Sequence, residues 1–230
     1  MSCSLLEQED VMVYTATRAL IRFLFWIFTE LEVDGLEHVP PEGPILLVSN
    51  HVNLMDPIVP IGVLKRRVSF MAKEEIFEWP IMGPWFKALD LIPVARGSIA
   101  SRRAIQRAEE LLARGWIVAV YPEGTRSRQP GMGPAHDGAA FLALRTGVPI
   151  LPVAITGTHT VLQEGKSFPR RGLVALRFGE TFRVERVMGK IDRQAMEGLT
   201  ERIMRRIAAL LPPDYRGVWA GERALAGAER

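Results

Sequence analysis

Residues 45–57 read ILLVSNHVNLMDP, in which four apolar residues lead directly into a polar turn and an Asp-Pro pair. A short run of Ile, Leu and Val is typical of a buried strand. Asp56 and Pro57 predict the start of a helix, with Asp56 as the N-cap and the proline at the first helical position. Because strands that alternate with helices build α/β folds, this stretch predicts an α/β domain.

The rest of the chain repeats the alternation. Five further apolar runs have the length and composition of buried strands, at residues 68–71, 91–94, 116–121, 149–155 and 173–178. Helical patterns lie at residues 101–114, 138–146 and 191–211. Together they predict a mixed, largely parallel central sheet flanked by helices. Turns that follow its strands lie at the edge where open α/β sheets usually place their sites.

The composition narrows the class of protein. Apolar residues make up 48 % of the 230 residues and charged residues 24 %, which excludes a disordered, collagen-like or coiled-coil chain. Cys3 is the one cysteine, so a disulfide framework and a cysteine-built metal site are excluded and a reducing, cytosolic setting is favoured. The net charge of +3 comes without the long basic run that is typical of nucleic-acid binding, so no nucleic-acid partner is expected. Anionic lipid head groups or phosphorylated substrates are compatible with it.

The N-terminal region predicts an amphipathic helix. Nine of the ten residues at 19–28 are apolar, but Arg22 interrupts them and the run is about half as long as a membrane span requires. Thr15, Arg18, Arg22 and Thr29 fall on one narrow stripe at helical spacing. Such a helix lies in a bilayer interface, or else packs on the core as a buried first helix. A secretory signal is not expected, because acidic residues precede the first basic one.

A second strand-and-turn segment follows at residues 118–127, which read VAVYPEGTRS. Gly124 permits positive φ and close backbone approach. Arg126 offers a planar guanidinium suited to phosphate, and Thr125 and Ser127 offer hydroxyls. The chain has no glycine-rich P-loop pattern, so a nucleoside triphosphatase is not supported. Taken alone, the segment is better explained as a simple turn.

His51 and Asp56 are the candidate acid–base pair. Five residues separate them, so contact requires the turn to fold His51 back towards Asp56. In that case the carboxylate accepts from one imidazole nitrogen and leaves the other as a general base. Otherwise Asp56 is a helix cap and His51 is a polar residue of the turn. The spacing alone leaves both interpretations open.

These segments together resemble the glycerolipid acyltransferases of the 1-acylglycerol-3-phosphate acyltransferase type. Asn50, His51 and Asp56 match the HX4D motif of the family's first block. The second to fourth blocks correspond to residues 91–96, 121–127 and 148–153, and residues 70–75 are similar to the family's strand-and-lysine segment. Order and spacing agree over residues 33–182, about two-thirds of the chain.

The resemblance implies transfer of a fatty acyl group from acyl-CoA or acyl carrier protein to the sn-2 hydroxyl of lysophosphatidate, giving phosphatidate in phospholipid biosynthesis. It implies His51 as the general base and Asp56 as the group that orients it. The residues it implies for the acceptor's phosphate and head group are Lys73, Arg96, Glu123, Gly124, Thr125 and Arg126. An activated thioester requires no cofactor and no metal. The amphiphilic acceptor implies a membrane surface as partner and a peripheral or monotopic location on the cytoplasmic face.

Three positions depart from the family pattern. Asp90 stands where glycine is frequent, Ala95 where an acidic residue is frequent, and Asp137 where basic residues are common. The acceptor is therefore open between lysophosphatidate, another lyso-lipid and glycerol 3-phosphate. A thioesterase and a non-enzymatic lipid-surface binding module are more distant alternatives. His38 and His159 match no block and are interpreted as turn or surface histidines.

The predicted domain organisation has three parts. Residues 1–31 form the interfacial helix and residues 32–211 the acyltransferase domain. Pro212 and Pro213 end the last predicted helix. Residues 212–230 then form a C-terminal tail, of which about the last fifteen residues are expected to be mobile.

Overall fold

A computed structural model describes residues 2–80, 82–94, 98–127, 131–163, 165–166 and 168–221, with side chains left undescribed at 2–10 and 98–101. Seven strands form one sheet: β1 (Thr29–Asp34), β2 (Ile45–Ser49), β3 (Val68–Lys73), β4 (Ile92–Val94), β5 (Ile117–Val120), β6 (Ile150–Thr156) and β7 (Gly172–Phe178). Their order is β1-β7-β6-β2-β5-β3-β4. Strands β2 to β6 run parallel, β7 runs antiparallel to β6, and β1 is parallel to β7. The predicted mixed, largely parallel sheet is confirmed.

The described helices flank the sheet. They are α1 (Ser2–Phe28), α2 (Ile58–Val63), α3 (Met82–Ala88), α4 (Ser98–Ala113), α5 (Gly138–Thr146), α6 (Thr158–Val161) and α7 (Arg193–Leu210). The bounds of α5 are those predicted, and α4 and α7 begin within three residues of their predicted starts. Strand β1 was missed, since residues 29–31 were assigned to the first helix. Its apolar residues alternate with Glu30, Glu32 and Asp34, which is a strand period, and distant β7 supplies its hydrogen-bond partner.

The core has two halves, one on each face of the sheet. Strand β2 is buried along its whole length, and successive side chains point to opposite faces. Leu46 and Val48 pack in a cluster with α4, α5 and α7, whereas Ile45 and Leu47 pack in a cluster with α1, α2 and α3. The loop that follows β2 therefore starts from the most buried part of the molecule.

Helix α1 contacts the domain along one face. Ile21 and Phe25 are buried against α2, where a Cβ on Gly62 would come within 2.9 Å of both side chains. Val11–Phe28 is long and apolar enough to cross a membrane by length and composition, a test that core helices and signal sequences also pass. Leu20, Phe23 and Trp26 are exposed on the other side, and Trp26 is 76 % exposed. The first helix therefore combines a core-facing side with an exposed apolar side.

Part of the predicted C-terminal tail is ordered. Two 3-10 turns at Pro213–Tyr215 and Gly217–Trp219 follow α7, and Tyr215 and Trp219 pack against the core. Backbone and side-chain hydrogen bonds to residues 132, 133 and 157 hold these turns, so the expectation of mobility was wrong for residues 216–219. Residues 222–230 lie outside the described part of the chain. The three-part domain division stays a prediction.

Candidate active site

The two polar turns lie side by side because their strands are neighbours. Strand β2 pairs in parallel with β5, with Val48 opposite Val120 at the carboxyl ends. Strand β6 flanks β2 on its other side, with Ser49 opposite Val153. The loops after β2, β5 and β6 therefore converge at one edge of the sheet, as expected for a site in an open α/β fold.

The turn after β2 places the His51 imidazole within hydrogen-bond distance of the Asp56 carboxylate. His51 Nδ1 lies 3.0 Å from Asp56 Oδ2, and the aspartate is fully buried. Two backbone N–H groups of the turn, those of Val52 and Asn53, donate to the same oxygen at 2.6 and 2.7 Å. The turn thus wraps around the carboxylate, and this contact folds the histidine back.

Asp56 is not the N-cap of the following helix, so that prediction was wrong. Helix α2 starts at Ile58 with Pro57 in the capping position and no side-chain cap. The carboxylate points back into the preceding turn because three hydrogen-bond donors of that turn, the His51 imidazole and two backbone N–H groups, contact Oδ2. A fourth donor comes from far along the chain, as Thr158 Oγ1 donates to Asp56 Oδ1 at 2.6 Å.

The surroundings of Asp56 assign the tautomer of His51. A carboxylate that receives two backbone N–H groups at Oδ2 is an acceptor there, so His51 Nδ1 carries the proton that it shares. The lone pair is then on Nε2. The imidazole is 16 % exposed, so Nε2 is the available basic atom of a partly shielded histidine. This arrangement suits proton abstraction from a bound hydroxyl.

Glu123 clamps the backbone of His51. Glu123 Oε1 accepts from the His51 N–H at 2.8 Å, and Oε2 accepts from the Gly133 N–H at 2.9 Å and from the Ser127 hydroxyl. The Ser127 N–H in turn donates to the His51 carbonyl at 2.8 Å. Glu123 is only 4 % exposed, and both of its carboxylate oxygens accept hydrogen bonds from groups of the protein. It therefore supports the backbone of the site.

Tyr121 packs against the histidine ring. The two ring centroids are 4.6 Å apart at 37°. Burial, and secondarily the charge of Asp56, raises the pKa of the Tyr121 phenol well above its usual value of 10.0. Its hydroxyl is buried with no hydrogen-bond partner among the described residues. The tyrosine therefore packs against the His51 imidazole as an uncharged side chain.

Two asparagines tie the turn to the neighbouring elements. The Asn50 amide donates to the Ile155 carbonyl and accepts from the Ile155 N–H, both at 2.8 Å. It thereby continues the pairing of β2 with β6 beyond the end of the strand. The Asn53 amide donates to the Leu162 carbonyl at 2.7 Å. The sequence indicated no such contacts for Asn50, Asn53 or Thr158. Asn50 was identified through its match to the family's first block, and the one signal of Asn53 and Thr158 was a position in a turn after a predicted strand.

The predicted phosphate-binding residues lie at the same edge, where described. Lys73 ends β3, and Thr125 and Arg126 lie in the loop after β5, all of them exposed. Lys73 and Arg126 form no ion pair with another described residue. Arg96 lies outside the described residues.

Gly124 adopts a positive φ of +65°, which a glycine permits. A Cβ there would lie 2.8 Å from the His136 imidazole, so the loop after β5 and His136 approach closely. Asp137, one of the departures from the family pattern, accepts from Thr200 Oγ1 at 2.7 Å and so links α5 to α7. No group of three or more His, Cys, Asp or Glu side chains in the described ranges is placed to hold a metal ion.

The fold and the site define an α/β protein with a histidine–aspartate pair in the loop after its central strand β2. A family model described as Acyltransferase matches residues 30–156, more than half of the chain. The chain belongs to this acyltransferase family. The match extends from β1 to β6 and contains His51, Asp56 and Glu123, whereas Thr158, Leu162 and Thr200 lie beyond it.

Comparisons with individual proteins agree with the family. The chain is 33 % identical over 140 residues to a chloroplastic 1-acyl-sn-glycerol-3-phosphate acyltransferase of Brassica napus, which covers 60 % of this chain and 40 % of that protein. It is 33 % identical over 150 residues to the alpha enzyme of the same name from Homo sapiens, covering 64 % and 52 %. The chain thus spans about half the length of the curated relatives that it matches.

A solved structure is similar over most of the fold. The 1-acyl-sn-glycerophosphate (LPA) acyltransferase PlsC from Thermotoga maritima superimposes with a TM-score of 0.68 at 27 % identity. The superposition covers 88 % of this chain and 81 % of that one.

Proposed function

We propose that this protein transfers a fatty acyl group from a thioester to the sn-2 hydroxyl of lysophosphatidate, producing phosphatidate. The single observation that carries the proposal is the hydrogen bond from His51 Nδ1 to the buried Asp56 carboxylate, which leaves Nε2 basic at the edge of the sheet. The names of the relatives supply the acceptor class, because those proteins are 1-acylglycerol-3-phosphate acyltransferases.

In the proposed reaction His51 Nε2 removes the proton of the acceptor hydroxyl. The hydroxyl oxygen attacks the thioester carbonyl, the new ester C–O bond forms, and the C–S bond of the resulting tetrahedral adduct breaks. The proton held by His51 then passes to the departing thiolate. Asp56 stabilises the imidazolium formed in between. General-base assistance of this kind contributes about 10² to 10⁴ in rate, and direct attack needs no acyl-enzyme.

Lys73 and Arg126 at the same edge are proposed to hold the acceptor's phosphate, and the family resemblance adds Arg96. A guanidinium suits this role because it binds phosphate oxygens in pairs. Gly124 and Thr125 complete the head-group site. Glu123 contributes indirectly, because its two oxygens hold the backbone of His51 and of Gly133. The donor, acyl-CoA or acyl carrier protein, brings an activated carbonyl, so the proposed reaction requires no cofactor and no metal.

The protein is proposed to work at the cytoplasmic face of a membrane as a peripheral or monotopic enzyme. The exposed apolar side of α1 supports this location, because Phe23 and Trp26 suit the boundary between head groups and acyl chains. A cavity of about 480 Å³ adjoins it between α1, β1 and α2. Its walls are largely apolar, and Arg22 and Arg171 contribute the two cations of its lining. An amphiphile with an anionic head group fits that combination.

The test is product formation from a labelled acyl thioester, offered as CoA and as carrier-protein forms. Lysophosphatidate, glycerol 3-phosphate and a neutral lyso-lipid are each added or omitted. Phosphatidate that forms only with lysophosphatidate supports the proposal. Thioester loss that is independent of any acceptor overturns it in favour of hydrolysis, and transfer to another acceptor alone overturns the substrate assignment.

A further inference from the structure

The C-terminal segment (residues 212–219) docks onto the loop at residues 131–133. The Met132 N–H donates to the Tyr215 carbonyl at 3.0 Å, and the Val218 N–H donates to the Met132 carbonyl at 3.1 Å. The Trp219 indole N–H donates to the Gly133 carbonyl at 2.9 Å. These three hydrogen bonds fix the C-terminal segment against the loop.

Gly217 makes the docking close. Its φ is +50°, and a Cβ on it would lie 2.1 Å from the Met132 carbonyl oxygen. No side chain fits at that distance, so any larger residue must push the C-terminal segment away from Met132. Gly221, four residues further on, would place its Cβ in open space.

The docked loop leads directly to the histidine. Gly133, whose carbonyl receives the Trp219 indole, donates its own N–H to Glu123 Oε2 at 2.9 Å. The other oxygen of Glu123 accepts from the His51 N–H at 2.8 Å. Trp219 is thus connected to His51 through Gly133 and the Glu123 carboxylate.

A second contact leads to the aspartate. The Gly157 N–H donates to the Tyr215 hydroxyl at 3.2 Å, and that hydroxyl lies 3.4 Å from His159 Nδ1. Between these two residues in the chain stands Thr158, which donates to Asp56 Oδ1. Tyr215 therefore holds the short segment that positions the fourth donor of the Asp56 carboxylate.

We propose that the C-terminal segment is a positioning element of the His51–Asp56 pair, and that Trp219 and Tyr215 act on it through Gly133–Glu123 and Gly157–Thr158. The segment lies outside residues 30–156, which the family model matches. The inference rests on the proposed function of the pair. Neither Tyr215 nor Trp219 touches a reacting atom in this scheme, so the expected loss is in kcat and not in substrate binding.

The decisive comparison is Gly217→Ala against Gly221→Ala in the full chain. Gly217→Ala is expected to lower kcat about tenfold or more, with the KM values for donor and acceptor changed less than about twofold. The low-field proton resonance of His51 Nδ1–H, recorded by NMR on folded protein, is expected to shift or broaden. Gly221→Ala is expected to match the wild type in all three measurements.

Milder variants decide the matter if Gly217→Ala does not fold. Trp219→Phe deletes one hydrogen bond, and Tyr215→Phe deletes the hydroxyl that contacts Gly157 and His159. Each variant is expected to lower kcat about threefold to tenfold with the same shift of the His51 resonance. Asp214→Asn, an exposed change in the same segment, is the matched control. Unchanged kcat and an unchanged His51 resonance in folded variants would overturn the inference. A wild type without acyl transfer would refute the proposed function instead, and the His51 resonance would still test the positioning.

Discussion

At the scale of single residues, Thr158 is the most informative addition to the predicted pair. Its hydroxyl is buried and donates to the one oxygen of Asp56 that the turn after β2 leaves without a donor. A carboxylate in a buried site keeps its orientation only while its acceptors are satisfied. The threonine therefore belongs to the proposed catalytic arrangement although it lies 102 residues from Asp56 in sequence.

Thr158→Val keeps the shape of the side chain and removes the donor. We expect kcat to fall about tenfold and the unfolding free energy to fall by about 1–3 kcal/mol, because Asp56 Oδ1 is left buried and unpaired. Steady-state acyl transfer and urea denaturation measure the two effects. Thr158→Ser keeps the hydroxyl and should stay close to wild type. A valine variant with wild-type kcat would show that this donor does not position the pair.

Arg126 tests the head-group site. Arg126→Ala is expected to raise the acceptor's KM about tenfold while kcat changes little, because a phosphate contact made equally in ground and transition state is lost. Arg126→Lys should fall in between, since it keeps the charge without the planar fork. Arg193→Ala, an exposed arginine that pairs with Glu197 on α7, is the control. An unchanged acceptor KM would remove Arg126 from the site.

At the scale of elements, the sequence predicted what local patterns determine. The strand at residues 45–48 and the helix at 138–146 both follow from residue types close together in the chain. The N-cap role of Asp56 was mispredicted, and the spacing alone left its contact with His51 open, because the donors that orient the carboxylate are backbone groups of a turn and a distant hydroxyl. Strand β1 was missed because the first helix was extended over residues 29–31, although the alternation of apolar and acidic residues there is a strand period. Its hydrogen-bond partner, β7, lies about 140 residues away.

The same scale explains Asp90, the departure from the family's glycine. It has a φ of +55°, a conformation that costs little for glycine and more for other residues. Its carboxylate accepts from Arg107 Nη2 at 2.5 Å, and its carbonyl accepts from the Ser69 hydroxyl at 2.6 Å. These contacts join the end of α3 to β3 and α4 and offset the backbone cost.

Helix α1 carries the membrane prediction. Trp26→Ser is expected to weaken binding to anionic vesicles about tenfold, because burial of a large aromatic side chain contributes roughly 1.5–3 kcal/mol. Sedimentation with liposomes measures it. Met188→Ser changes a side chain that is as exposed, at 80 %, but lies far along the chain after β7. Equal sedimentation of the two variants would place the membrane contact away from α1.

At the scale of the whole molecule, buried phenols predict how stability depends on pH. Burial raises the pKa of Tyr121 well above its usual value, and it raises the pKa values of Tyr14 and Tyr215 as well. A raised folded-state pKa stabilises the protein fully below the unfolded value of 10.0. Above that pH the unfolded chain loses protons that the folded chain keeps, so stability falls as pH rises.

The measurement is urea denaturation between about pH 8 and 11. We expect the unfolding free energy to be steady at first and then to decline above about pH 10, by as much as about 1.4 kcal/mol per pH unit for each such tyrosine. Tyr121→Phe removes one titrating group and should make the decline shallower. A decline as steep in Tyr121→Phe as in the wild type would contradict the burial argument.

The most direct test of His51 as the general base is the rate of acyl transfer to lysophosphatidate by His51→Ala, measured in a single turnover with labelled thioester. His38→Ala is the matched histidine control, because His38 contacts the Phe178 carbonyl at the end of β7, away from the two polar turns. If His51 is the general base, the rate falls by about 10² to 10⁴ in His51→Ala and stays near wild type in His38→Ala. Transfer by His51→Ala at the wild-type rate would contradict this role.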